Sequence, residues 1–150
     1  MGWGVIDQDG SRLRYVASGT VSPPARLPMG ERLIALAGGV EDVIGQHGPG
    51  DAAIEETFVN DGARSALLLG QARGVALMVL AASGFAVGEY AATVVKKAVV
   101  GTGRADKRQM QDMVARLLPG SKAASADAAD ALAVAICHAS HLCTARELSA

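Results

Sequence analysis

Residues 126–136, ADAADALAVAI, constrain the fold more than any other stretch of the chain. Small apolar residues fill almost every position, so a helix here is apolar on most of its circumference and belongs inside the protein. It nevertheless carries Asp127 and Asp130, about 60° apart on a helical wheel and therefore on one side. Two carboxylates that close repel by about 3 kcal/mol at a protein-like dielectric. Something has to offset that repulsion: water, a basic partner or a metal ion.

The rest of the core is built from similar material. Half of the 150 residues are hydrophobic but only 3% are aromatic, so Ala, Val, Leu and Ile do the packing. That length fits one domain, 1–150, with a single core and a short tail over 140–150. The net charge of -1 does not mark a nucleic-acid binder, but it is unevenly spread. Residues 1–62 hold nine acids and four bases, and residues 63–150 hold six acids and ten bases. A basic half permits an anionic partner without requiring one. Two cysteines, Cys137 and Cys143, make no disulfide framework and fit a reducing cytoplasm. No basic segment followed by an apolar run marks a secretory signal at the N-terminus. The longest uncharged apolar run, residues 74–88, has 15 residues and is too short to span a bilayer. A cytoplasmic chain with no membrane partner is the expectation.

Local patterning predicts an α/β order. Two β-prone runs flank Gln8-Asp9-Gly10-Ser11 and read as a hairpin. Three prolines keep 22–30 irregular. Leu33, Ile34, Leu36, Val40, Val43 and Ile44 recur at near-helical spacing, weakened by Gly38-Gly39. DAAIEETF (51–58) reads as a short strand ending in acids, followed by a long helix from about Ala63 to Ala82 and a strand over 85–90. Helices near 91–98, 106–118 and 126–139 complete the chain. A sheet with helices on its faces follows.

Three groups of residues could carry chemistry. Glu55 and Glu56 close the apolar strand, at the end where open α/β sheets place their sites. Strand alternation lets only one of them join a given cluster. If the helix bearing Asp127 and Asp130 packs beside that end, three carboxylates converge on a site suited to Mg²⁺ or Mn²⁺. Two such ions can activate a water and stabilise the leaving oxygen of a phosphodiester. Exposed solubilising acids are the competing reading. The second group is basic: Lys96, Lys97, Arg104, Lys107 and Arg108 lie between 96 and 108 against the single acid Asp106. GTGRADK lacks the Walker spacing, yet its glycines and lysines could approach phosphates, and a solvated loop explains it equally well. The third, CHASHLC, matches no usual zinc spacing. His138 follows Asp127 by eleven residues and lies within about 20° of it on the wheel. That makes it a candidate to support the acidic pair from behind, beside the plainer reading of a helix-terminal histidine. Phe58, one of two phenylalanines, sits just past the acids. It could stack on a base or anchor its loop. The long helix RSALLLGQARGVALMVLAA is apolar around more of its circumference than a surface helix needs, so it is central to the core or part of a subunit interface.

Four segments then resemble one family in order and spacing. They are GWGVIDQDGSRLRYVASGTV, AAIEETFVNDGARSALLLGQARGVAL, EYAATVVKKAVVGTGRADKRQMQDMV and ADAADALAVAICH, which together cover nearly the whole chain. The family is the RuvC-type crossover junction endodeoxyribonucleases, the resolvases of Holliday junctions. The resemblance implies a ribonuclease H-like fold, a mixed five-stranded sheet with helices on both faces. It implies a homodimer that binds a four-way junction, nicks it symmetrically with Mg²⁺ (Mn²⁺ substituting), and works with a branch-migration helicase complex. By motif position Glu55 is the strand carboxylate, and Asp127 and Asp130 are the helix carboxylates. Phe58 matches the aromatic that contacts the junction, Lys96 and Lys107 the basic residues beside the site, and the GQARG helix the dimer interface.

One departure stands out. Family members begin with a strand reading roughly I-G-I-D-P-G, about ten residues before GWGV, whose aspartate is a further metal ligand. Here Met1 directly precedes Gly2-Trp3-Gly4. Asp7, beside the hairpin turn, is not its replacement. The expectation is therefore that these 150 residues by themselves are weakly folded and catalytically inactive, with an internal methionine taken as the start as the simplest explanation and a real N-terminal deletion as the rarer one. A non-catalytic junction-binding protein of the same fold and a small-molecule-binding α/β domain are the alternatives.

Overall fold

A computed structural model describes residues 1–56, 62–121, 123 and 125–149, with side chains through Ala145. The chain opens with the hairpin, β1 (Gly2–Asp9) and β2 (Arg12–Thr20), antiparallel with Asp9 opposite Arg12. Gly10 turns the corner at φ +58°, a conformation that costs glycine little. The register slips between Val5 and Ile6, which leaves Val16 as the extra, exposed residue of a bulge.

The even-numbered face of β1 lies along the last helix, α5 (Ala126–Ser149). A β-carbon on Gly2 would stand 2.0 Å from the Asp127 carbonyl oxygen, and one on Gly4 would stand 2.7 Å from Leu132 Cδ2. Ile6 packs into the same core, and Gln8 Nε2 donates to the Ala139 carbonyl at 3.0 Å. The strand thus runs the length of three helical turns, and its first two contacts leave no room for a side chain.

The other face of the hairpin meets α1 (Met29–His47), where the Trp3 and His47 rings stack at 5.6 Å. Gly38-Gly39 does not interrupt this helix. Gly39 is where it touches Val21, whose Cγ1 would be 2.5 Å from an added β-carbon. Next come β3 (Ala53–Glu55), α2 (Ala63–Ala82) and β4 (Gly88–Tyr90), a strand–helix–strand unit whose two strands pair in parallel. Then follow α3 (Ala92–Val100) and α4 (Lys107–Leu117). The α4 N-terminus is closed by a reciprocal cap: Gln109 N donates to Asp106 Oδ1, and Asp106 N donates to Gln109 Oε1. The acid inside the basic segment therefore has a structural use.

The core forms around α5. Leu132, Ala133, Val134, Ile136 and Cys137 pack against Val95 and Val99 of α3 and against Met110, Val114 and Leu118 around α4. The fold is ribonuclease H-like α/β, with helices on both faces of the strands. Among the described residues the strands form two pairs, β1–β2 and β3–β4, with no described strand hydrogen-bonded between β1 and β3, and α5 spans both pairs. That is the expected five-stranded mixed sheet without its first strand. One expectation is revised: 140–149 is not a tail, because α5 runs unbroken to Ser149.

By length and composition α2 and residues Ala126–Ala145 of α5 are apolar enough to cross a bilayer. The 15-residue limit set by uncharged runs missed this, because an isolated arginine does not end a helix. In α5 the apolar surface is used by the core. In α2 only Ala76 and Val79 are buried, while Leu67 and Met78 are 63% and 60% exposed.

Candidate metal and phosphate site

Glu55 is the last residue of β3 and Asp130 lies in the second turn of α5. In the β3–β4 pair Glu55 stands opposite Tyr90, and Ala53 opposite Gly88. These four share the face turned toward α5, since Tyr90 and Gly88 both meet His138. Alternation therefore sends Glu55, and not Glu56, toward the helix that carries the aspartates. Ser125 starts that helix, its Oγ accepting from Ala128 N at 3.1 Å. Asp127 falls in the first turn, where the helix dipole favours negative charge.

Glu55 and Asp130 line one cleft of about 220 Å³ with Lys96 of α3 and Lys107 of α4, over a floor that includes Val95, Met110 and Ala133. Four elements thus deliver one charged side chain each. Partial withdrawal from water raises the Glu55 carboxyl above its ordinary range, the charge of Asp130 raises it further, and Lys96 opposes both. Asp130 is likewise raised by withdrawal from water and by Asp127, with Lys107 pulling the other way. Neither acid belongs to an ion pair within 4 Å among the described residues, where the pairs are Arg14–Asp7 and Arg73–Glu89. The two carboxylates are held close, each with a lysine near but not on it.

Of the residues expected from sequence, Glu55, Asp130, Lys96 and Lys107 come together. Asp127 does not line the cleft. It acts on Asp130 from the turn before, and no three acids, histidines or cysteines among the described residues cluster tightly enough to cage an ion. Two carboxylates still suit Mg²⁺, which keeps most of its waters and takes one or two protein carboxylates plus substrate phosphate. Phe58 lies outside the described residues. His138 does not stand behind the acids. Its Nδ1 is 2.9 Å from the Tyr90 hydroxyl, and its nearby charges are Asp51 and His141. Eleven residues bring it under Asp127 in angle but about 16 Å farther along the axis. Burial lowers its pKa, and Nε2 is enclosed without a partner. CHASHLC gathers no metal cluster among the described residues. Instead His141 Nδ1 hydrogen-bonds the Cys137 carbonyl one turn back, at 2.9 Å.

Sequence reasoning overlooked Arg73. Its Nε donates to the Glu55 carbonyl at 2.9 Å and its guanidinium pairs with Glu89 of β4. The available signal was its isolation, since α2 carries only one other charged residue, Arg64.

Known proteins with this sequence and shape agree with one another. The family described as crossover junction endodeoxyribonuclease RuvC matches residues 1–138. The RuvC of Paramagnetospirillum magneticum is 58% identical over 148 residues, which span 99% of this chain and 89% of that protein. The RuvC of Rhodopseudomonas palustris is 54% identical over 149 residues, 99% and 86% of the two chains. Among solved structures, Thermus thermophilus RuvC in complex with Holliday junction substrate superposes with a TM-score of 0.88 at 29% identity, covering 96% of this chain and 88% of that one. Matched over residues 1–138 by the family and over 99% of its length by relatives more than half identical, the chain belongs to the RuvC family of crossover junction endodeoxyribonucleases.

Proposed function

We propose that residues 1–150 are one nuclease domain of a protein that cuts Holliday junctions by Mg²⁺-dependent hydrolysis, with Glu55 and Asp130 among the carboxylates that hold the ion. The observation that carries this reading is the cleft itself: two raised carboxyls beside two lysines, in a family of divalent-metal nucleases. A divalent cation bound there supplies positive charge against the scissile phosphate and acidifies the attacking water. Asp127 strengthens the negative potential of the α5 end beside Asp130 and would help Glu55 and Asp130 hold the ion. Lys96 and Lys107 bind backbone phosphates beside the acids, as point charges on two different helices. Phe58, following the strand-end acids, contacts the junction bases. Mn²⁺ substitutes for Mg²⁺, since both take carboxylate oxygens.

A four-way junction has two strands to cut, and a two-fold dimer would present two such clefts. The exposed apolar face of α2 around Leu67 and Met78 supports a homodimer through that helix. The same reading makes the protein cytoplasmic and a partner of a branch-migration helicase complex.

The test is nicking of a synthetic four-way junction with and without Mg²⁺, run beside junction binding in EDTA. Asp130→Asn and Asp127→Asn should abolish nicking and spare binding. Binding without any metal-dependent nicking, in the chain and in a form extended by upstream in-frame codons, would identify a non-catalytic junction binder instead.

A further inference from the structure

The Glu55 carboxylate is useful only if its strand end is held still, and β3 has only three residues to hold it. Its ladder with β4 is fixed by Gly88 N donating to the Ala52 carbonyl and by Glu56 N donating to the Tyr90 carbonyl. Backbone groups alternate along a strand, so residues 52, 54 and 56 of β3 face β4. The Glu55 carbonyl points to the opposite edge, away from that ladder. There it accepts from Arg73 Nε at 2.9 Å.

Arg73 comes from the other side of the strand pair. Glu55 and Tyr90 share the face toward α5, so Ile54 and Glu89, the intervening pair, face the opposite way. Arg73 meets Glu89 on that far face, with a side chain only 22% exposed. One guanidinium therefore grips both strands, a backbone acceptor on β3 and a carboxylate on β4. Its planar fork can make both bonds at once, whereas a lysine offers a single point charge.

We propose that Arg73 is a positioning residue of the nuclease site: from α2 it fixes the backbone of Glu55 and so sets where the Glu55 carboxylate meets Asp130. The inference rests on Glu55 and Asp130 being the carboxylates that hold the metal. It links the helix with the exposed apolar face to the strand that carries the acid, so a change at α2 is felt at the cleft without any α2 residue lining it.

The experiment is Mn²⁺ binding to the full chain by titration calorimetry, with thermal melting and junction binding in EDTA measured on the same samples. Groups that orient a metal ligand typically change affinity about 10- to 100-fold. Arg73→Gln should weaken Mn²⁺ binding about tenfold, Arg73→Lys nearly as much, and Glu89→Gln about threefold, with junction binding in EDTA within twofold of wild type. A purely structural arginine would lower the melting temperature and leave the Mn²⁺ affinity of the folded protein unchanged, and that result overturns the proposal. If Arg73→Gln does not fold, Glu89→Gln decides, and wild-type affinity there overturns it equally. Asp130→Asn separates the two readings. Mn²⁺ affinity lost in Asp130→Asn but kept in the Arg73 variants sinks only the positioning role. Affinity kept in Asp130→Asn sinks the metal-site assignment and the role of Arg73 with it.

Discussion

Gly4 of β1 backs directly onto Leu132 of α5: a β-carbon at Gly4 would lie 2.7 Å from Leu132 Cδ2 and 3.0 Å from its backbone nitrogen. Leu132 is fully buried and two residues beyond Asp130, so the hairpin is pressed against the turn that carries the acids. A methyl group at Gly4 has to push the strand off the helix. Overpacking of this kind costs about 1–3 kcal/mol. Urea unfolding of Gly4→Ala should show a loss in that range, whereas Gly45→Ala, in open space on α1, should cost nothing measurable. Equal stabilities for the two variants would mean that the contact is not tight.

The raised carboxyls of Glu55 and Asp130 give a pH dependence of the opposite sign to that of a salt-bridged acid. The ordinary values are 4.5 for Glu and 3.8 for Asp, and both groups lie above them in the folded protein. As pH rises through that range the unfolded chain loses these protons first. The folded state then binds more protons than the unfolded one, so stability contributed by these groups falls with rising pH until the folded values are passed. In EDTA the urea midpoint of Asp130→Asn should therefore drop less than that of wild type as pH rises from about 4. Mg²⁺ should reverse the loss at neutral pH and do little below the carboxylate range. Saturation at about 100 times the dissociation constant corresponds to about 2.7 kcal/mol. A full Mg²⁺ effect in Asp130→Asn would remove Asp130 from the site.

What the sequence made legible follows from the range of each signal. The Asp9-Gly10 turn and the bounds of α2 are set by neighbours a few residues away, and both were readable. Strand pairing is not local: the separation of β1–β2 from β3–β4 follows from the resemblance, which places a strand before GWGV, and from no local pattern. Alternation alone could not choose between Glu55 and Glu56; motif position favours Glu55, and the pairing with Tyr90 and Gly88, whose face meets α5, gives the physical reason. The wheel put His138 under Asp127 because it keeps angle and discards rise. Gly38-Gly39 looked like a weakness because the partner that needs Gly39 small, Val21, belongs to another element. The aspartate pair calls for water, a basic partner or a metal ion, and the structure supplies the basic partner: Lys107 opposes the burial of Asp130, while the helix start favours Asp127.

Leu67 and Met78 are eleven residues apart on α2, within about 20° of each other around its axis, and both are more than half exposed. If a second copy covers this face, a charge there breaks the pair without touching the core. Leu67→Asp and Met78→Glu should each shift sedimentation from dimer toward monomer, and far-ultraviolet circular dichroism should keep the wild-type helix content. A wild-type protein that sediments as a monomer at high concentration would refute assembly through α2.

Lys96 and Lys107 stand in the cleft, while Lys97, one residue along α3, is exposed and does not line it. A lysine that contacts a phosphate releases counterions on binding, and each such contact adds about 0.9 to the slope of log affinity against log salt. Junction binding in EDTA should therefore weaken in Lys96→Ala and Lys107→Ala, each with a slope shallower by about that amount. Lys97→Ala should change the slope less than either. Asp130→Asn should bind somewhat more tightly than wild type in EDTA, because it removes a negative charge from the path of the phosphates. The two directions together separate a phosphate path through the cleft from a diffuse basic surface. On a diffuse surface the three lysines would count equally and Asp130 would have no influence.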